Sequence, residues 1–215
     1  MMFVHKNWRK TDVLDKMAAQ ASKRNLENLT VGPVITWTNE RIAAHVEACL
    51  QLDGAELLFG GAPLRNHTIP PVYGAYEPTA IKVPIKHFRS KKKRDLLCTE
   101  LFGPFQIVVE WADKDYGHLV DILESQPHHL TAAVVSNDPV FNDAILGHTV
   151  NGTQYTGLKA RTTGAPQNHW FGPCGDPRGA GIGTPYAITY TWSHHREIIS
   201  DIGPVPSDWQ MPSPS

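Results

Sequence analysis

Apolar residues recur along this chain in two rhythms, near period two and near period three and a half, and their alternation predicts the order of elements. Residues 1–5 form a short apolar run suited to a buried strand. Thr11 stands before a helix whose apolar positions Val13, Leu14, Met17, Ala18 and Ala21 share one face, and Thr38 before a second with Ile42, Val46, Cys49 and Leu50 inward. Val31-Gly32-Pro33 is a turn between them. Residues 56–59 read as a strand stopped by Gly60-Gly61, and residues 79–83 as another after a Pro-rich connection. Helical character returns over 90–99. Residues 105–111, dense in β-branched and aromatic side chains, predict a strand, and 116–126 a helix with Leu119, Ile122 and Leu123 on one face.

Residues 130–135 are nearly all apolar, as in a strand covered on both sides. They lead to Asp138, placed as an N-cap, and Pro139 at the first position of a helix ending at Gly147. A strand over 149–155, a long loop over 157–183, a last helical turn and strand within 186–199, and an extended, mobile tail from Gly203 complete the reading. Strand, helix, strand, helix, strand across 105–155 is the pattern of right-handed βαβ units. The fold class is therefore α/β, a mostly parallel sheet flanked by helices. In such sheets ligands sit at the carboxyl ends of strands, and the long loop follows directly from the strand near Val150.

Composition narrows the class. The chain has 215 residues, 41% of them hydrophobic, enough for a core, and its net charge of −1 gives no electrostatic reason to expect nucleic acid or an anionic membrane. The basic run 90–94 reads as a solvated helix start. Cys49, Cys98 and Cys174 share no CxxC spacing and are odd in number, which supports neither a zinc site nor a disulfide framework. His128-His129 and His194-His195 would point to opposite faces of a strand, so no metal is expected. No apolar run approaches the roughly 20 residues of a membrane span, and residues 1–10 lack the character of a targeting segment.

Chemistry concentrates in two places. In Thr99-Glu100-Leu101-Phe102-Gly103-Pro104 the Gly-Pro step makes a rigid exit, and the Glu100 carboxylate can accept hydrogen bonds from two adjacent sugar hydroxyls. The alternative is a Glu in solvent at a helix end, where the helix dipole mildly disfavours it. The second place is the loop 161–181, rich in Gly, Pro and Asn yet holding Trp170 and Phe171; solvated linkers shed such aromatics. Its glycines, 175–183, follow a Pro-rich loop instead of opening a helix after a strand, so they are not a dinucleotide fingerprint. Their uncovered N–H groups could grip a carboxylate or an oxyanion, with Arg178 adding charge or forming an outward ion pair. Cys174 reads as a small loop residue rather than a nucleophile.

Glu100-Leu101-Phe102-Gly103-Pro104 resembles the Glu-x-Phe-Gly-Pro motif of the aldehyde dehydrogenase superfamily. Asn151-Gly152-Thr153, the run from Arg161 to Pro173 and the run from Gly175 to Pro185 resemble the plant-type mitochondrial 1-pyrroline-5-carboxylate dehydrogenases, also called glutamate semialdehyde dehydrogenases. The similarity runs from Phe3-Val4-His5 to about Gly203. It implies an NAD-dependent oxidation of glutamate γ-semialdehyde to glutamate, the second step of proline catabolism, in the mitochondrial matrix. In that family a cysteine thiolate attacks the aldehyde, hydride passes to NAD, and a glutamate activates the water that hydrolyses the thioester. Glu100 matches the residue that holds the nicotinamide ribose and Phe102 the aromatic beside the nicotinamide. Phe171, Pro173, Cys174 and Gly175 match the loop that anchors the substrate carboxylate through backbone N–H groups. Pro173 has no N–H, Cys174 replaces a smaller residue such as Ala, and Tyr186 stands where an acidic residue is expected.

The resemblance further implies that the nucleophilic cysteine, the dinucleotide-binding domain and the water-activating glutamate fall upstream of Met1. The expected organisation is a catalytic-domain lobe at 1–192, an oligomerisation strand at 193–203 and a Pro-rich tail at 204–215. Such a chain is inactive alone and would pair with a second copy or a full-length homologue through residues 195–200.

Overall fold

The computed structural model describes residues 1–126, 129, 131–157, 185, 189, 193, 196–200 and 206–210. The chain divides into two compact units, Met1–His128 with Asp138–Val150, and His129–Asn137 with Asn151–Ser215.

In the first unit, β1 (Met2–His5), β2 (Glu56–Phe59), β3 (Thr79–Pro84) and β4 (Phe105–Trp111) form a sheet of order β1-β4-β3-β2. β4 runs parallel to both neighbours, with Met2 opposite Val108 and Thr79 opposite Phe105, while β2 is antiparallel to β3. Ile107, Val108 and Val109 are all buried, as a central strand covered on both faces requires. Gly60 ends β2 at φ +72, and a Cβ there would lie 2.1 Å from the Pro78 carbonyl oxygen, so only glycine fits.

Five helices accompany this sheet among the described residues: α1 (Val13–Ala21), α2 (Asn39–Leu50), α3 (Lys91–Cys98), α4 (Tyr116–Glu124) and α5 (Pro139–Gly147). Thr38 caps α2 by accepting from the Arg41 N–H at 3.4 Å, and Ile42, Val46 and Cys49 are buried as the spacing predicts. They join Ile81, Val83, Phe88, Leu97, Ile107, Val109 and Ile122 in one core. Each such side chain contributes on the order of 2 kcal/mol through burial. Asp138 caps α5 through Val140 and Phe141 N–H groups, with Pro139 at the first position.

α1 keeps the expected face: Val13, Leu14, Met17, Ala18 and Ala21 are half-buried and its other residues exposed, though none is fully buried. Its cap position is Asp12, whose carboxylate turns to Lys16 at 3.0 Å, while Thr11 donates to the Trp8 carbonyl at 2.7 Å and accepts from the Val13 N–H at 3.4 Å. α3 carries Lys91, Lys92 and Lys93 in the open, the solvated start expected of the basic run.

The second unit holds β5 (Thr131–Val134) and β6 (Thr153–Thr156), a parallel pair separate from the first sheet. Full cover was expected over 130–135; instead Ala133 is exposed, Val135 is exposed, and within β5 only Val134 is buried. A ladder of two strands offers less cover than a central position in a wide sheet. The strand expected from Thr149 begins four residues later, because the Thr149 hydroxyl donates to the Ile145 carbonyl at 2.8 Å. Residues 196–200 form no strand, and the tail, expected to be extended, turns at 206–209 through a Trp209 N–H to Pro206 carbonyl bond of 3.0 Å. No described helix is long and apolar enough to cross a membrane, and no described group of three His, Cys, Asp or Glu side chains is placed to hold a metal.

Candidate functional site

Glu100 and Phe102 stand in the connection from α3 to β4, at the amino edge of the parallel strands. Two tight turns shape it: the Gly103 N–H donates to the Leu101 carbonyl at 2.7 Å and the Phe105 N–H to the Gly103 carbonyl at 2.8 Å. The Pro104 carbonyl accepts from the Thr79 N–H at 2.8 Å, fastening the loop to the start of β3. Leu101 is buried, so its neighbours Glu100 and Phe102 are displayed, and the Phe102 ring is 69% exposed. Gly103 is required by close approach, since a Cβ would lie 2.6 Å from Val34 Cγ2.

Two grooves meet at this loop. One of about 600 Å³ lies between Val13 and Met17 of α1, with Arg24 just beyond that helix, and Gly103–Gln106; the other, about 340 Å³, is lined by Val31, Pro33, Ile35 and Phe102. Thr30, Gly103 and Pro104 border both. Ile35 and Phe102 are exposed apolar side chains in this second groove. Sequence reasoning found only a turn at 31–33, and Ile35, one of the apolar residues Val34, Ile35 and Trp37 that follow Gly-Pro, carries no signal that marks it as the exposed one.

Charge at the loop is sparse. Among the described residues no hydrogen bond or ion pair engages the Glu100 carboxylate. The Met1 α-amino group is near enough to feel it: burial lowers that group's pKa, and Cys98 and Glu100 partly restore it. Burial pushes the Cys98 thiol up, with Gln126, 3.5 Å from its sulfur, and Arg94 opposing. Cys49 is fully buried and pushed up to about 11. Neither thiol has the electropositive, open setting of an activated nucleophile. Phe171, Pro173, Cys174 and Gly175, together with Arg178, lie outside the described residues. Glu100 and Phe102 therefore share one described loop, while the residues expected to hold a substrate carboxylate lie outside the described residues.

No protein-family model matches the chain. It is 55% identical over 213 residues to the mitochondrial Delta-1-pyrroline-5-carboxylate dehydrogenase 12A1 of Arabidopsis thaliana, an alignment covering 99% of this chain and 38% of the relative. Over nearly its whole length the chain is therefore similar to a segment of an aldehyde dehydrogenase superfamily protein. A Linum usitatissimum protein named "Probable aldehyde dehydrogenase" is 54% identical over 212 residues, with 99% of this chain and 38% of the relative covered. The chain thus spans 38% of the length of both relatives. The glyceraldehyde-3-phosphate dehydrogenase GapN of Methanocaldococcus jannaschii, solved with NADP, superposes with a TM-score of 0.62 at 20% identity, covering 86% of this chain and 37% of that one. At that identity the likeness is one of fold. The Glu100–Pro104 motif that resembles the aldehyde dehydrogenase superfamily is the loop at which the grooves meet.

Proposed function

We propose that this chain supplies the nicotinamide-ribose and substrate-carboxylate parts of an NAD-dependent 1-pyrroline-5-carboxylate dehydrogenase, which oxidises glutamate γ-semialdehyde to glutamate in proline catabolism. The observation that carries this is the 55% identity to the Arabidopsis enzyme over nearly the whole chain. The displayed loop supports it: Glu100 offers an unengaged carboxylate suited to two ribose hydroxyls, and the exposed Phe102 ring offers a face to the nicotinamide. NAD, when bound, supplies the hydride acceptor. Phe171, Cys174 and Gly175 would donate backbone N–H groups to the substrate carboxylate, since Pro173 has none to give.

With Cys49 and Cys98 held as protonated thiols, the nucleophilic thiolate is assigned to the part of the relative's length that this chain does not match, as are the dinucleotide-binding domain and the water-activating glutamate. The lobe at 1–192 is then inactive alone. The relative's name further favours the mitochondrial matrix. NADH formation from glutamate semialdehyde tests this, with the chain alone and fused behind the unmatched upstream portion of the Arabidopsis relative. Silence alone and turnover by the fusion are expected; a silent fusion overturns the assignment.

A second reading, oligomerisation through 193–203 with a copy or a full-length homologue, is favoured by Ile198 and Ile199, 68% and 87% exposed. Co-elution with the Arabidopsis enzyme in size-exclusion chromatography is its test. Separate elution removes it.

A further inference from the structure

His45 is 7% exposed, and the chemistry proposed above makes no use of it. It occupies a core-facing position of α2, where a helix ordinarily places an aliphatic side chain. Its ring stands edge-on to Trp37 on one side, with centroids 5.5 Å apart at 73°, and to Phe105 on another, 5.3 Å at 68°. Its Nε2 lies 3.8 Å from Cys49 Sγ, one turn along the same helix. The Arg41 guanidinium sits 4.5 Å over the Trp37 ring and donates from Nη1 to the Thr36 carbonyl at 3.3 Å, fixing the outer end of the stack.

The inner end is Phe105. It opens β4, and its N–H closes the turn onto Gly103. The loop carrying Glu100 and Phe102 therefore has two anchors: Leu101, buried near Val34, and Phe105, against the His45 edge. An edge-to-face contact is directional, so it fixes ring orientation as an aliphatic contact does not.

We propose that His45 is a positioning residue of the candidate site: by holding the Phe105 ring it sets the turn through which Gly103 and Leu101 present Phe102 and Glu100. The proposal rests on the reading of those two residues as cofactor-facing. Burial of the imidazole, which lowers its pKa, keeps the ring neutral and so compatible with a stack that Arg41 already caps with positive charge.

Amide hydrogen exchange followed by NMR on the chain itself tests it. The Gly103, Phe105 and Thr79 amides, bonded at 2.7–2.8 Å within and onto the loop, report on its order. The Ile81 and Val83 amides in β3 report on the core. His45→Ala should speed exchange about tenfold at the three loop amides and leave those of β3 unchanged, as local opening does. His45→Phe, which keeps an aromatic edge, should restore protection. Trp37→Leu, at a half-buried position, should give a smaller change at the same amides and carries the test if His45→Ala does not fold. Equal acceleration in loop and β3, or none in the loop, overturns the proposal. In the fusion enzyme, His45→Ala should raise KM for NAD with kcat little changed; an unchanged KM beside a loosened loop overturns it as well. A silent wild-type fusion instead defeats the cofactor reading, a result independent of the exchange data.

Discussion

The two edges of the parallel strands in the first unit differ in how they meet water. At the carboxyl edge, where β1 and β4 end, charges pair with one another: Arg9 donates from Nε and Nη2 to the two Glu110 oxygens, and Asp113 lies 3.2 Å from His5 and 3.7 Å from Lys6. The Trp111 ring is closed over by His5 at 4.6 Å and by Phe141 at 5.9 Å. At the amino edge no described residue pairs with the Glu100 carboxylate, and Phe102 and Ile35 stand in the open above two grooves. Ligands of open α/β sheets are generally sought at the carboxyl edge. In this sheet the carboxyl edge pairs most of its charges, although His5 Nε2 and the Tyr116 hydroxyl are buried there without a hydrogen bond, and among the described residues the amino edge displays an unpaired carboxylate beside open apolar side chains.

The comparison breaks most easily at the glycines that frame the amino edge. Gly60 combines a positive φ with a Cβ position 2.1 Å from the Pro78 backbone oxygen, beside the Thr79 hydroxyl that accepts from the Gly61 N–H. Backbone cannot yield as a flexible side chain does. Gly60→Ala should therefore destabilise the first unit by about 3 kcal/mol or more, read as a lower urea midpoint with unchanged slope. A loss below about 1 kcal/mol would mean the amino edge is not held as the geometry requires.

Legibility in the sequence followed the reach of each signal. β4 and the Asp138-Pro139 cap were readable because composition or cap chemistry decides them within a few residues. The apolar face of α1 was readable as well, but not that it stays only half-buried, since periodicity names the apolar side of a helix without saying what covers it. The separation of β5 and β6 from the first sheet was equally hidden, because a strand's own residues do not name its neighbour. Thr149 shows a local competition: one hydroxyl bond back to α5 outweighed β propensity and delayed the strand. Glu100 and Phe102 were found through a motif resemblance. Ile35 and the grooves depend on contacts distant in sequence, and the four loop residues at 171–175 rest on resemblance alone.

A moderate effect should separate the core behind the amino edge from both edges. Burial lowers the His45 pKa, so between that value and the roughly 6.5 of a free imidazole the unfolded chain binds more protons. Stability from this source is fully present above about pH 6.5 and declines as pH falls through the window. Cys49 acts at the other end: its thiol ionises near 9.0 when unfolded and only at about 11 when folded, so stability declines as pH rises between them. Urea midpoints across pH should show both limbs, with His45→Phe flattening the acid one and Cys49→Ala reducing the alkaline one, to which the raised Cys98 thiol also contributes. An acid limb that survives His45→Phe would assign it to other groups.

The smallest effect is expected at the carboxyl edge, and its smallness is informative. The Arg9 guanidinium is held in its charged form by the hydrogen bond and charge of Glu110, but its side chain is 71% exposed, so water and salt already solvate much of what the pair provides. Arg9→Ala should move the urea midpoint barely beyond measurement error, and the shift should vanish in molar salt, where screening reaches about 3 Å. The same substitution should leave the exchange of the Gly103 and Phe105 amides untouched, because β4 lies between the two edges and its buried Ile107–Val109 core is not disturbed. If Arg9→Ala instead loosened those amides, the edges would be coupled through β4, and the amino edge could not be treated as an independent site.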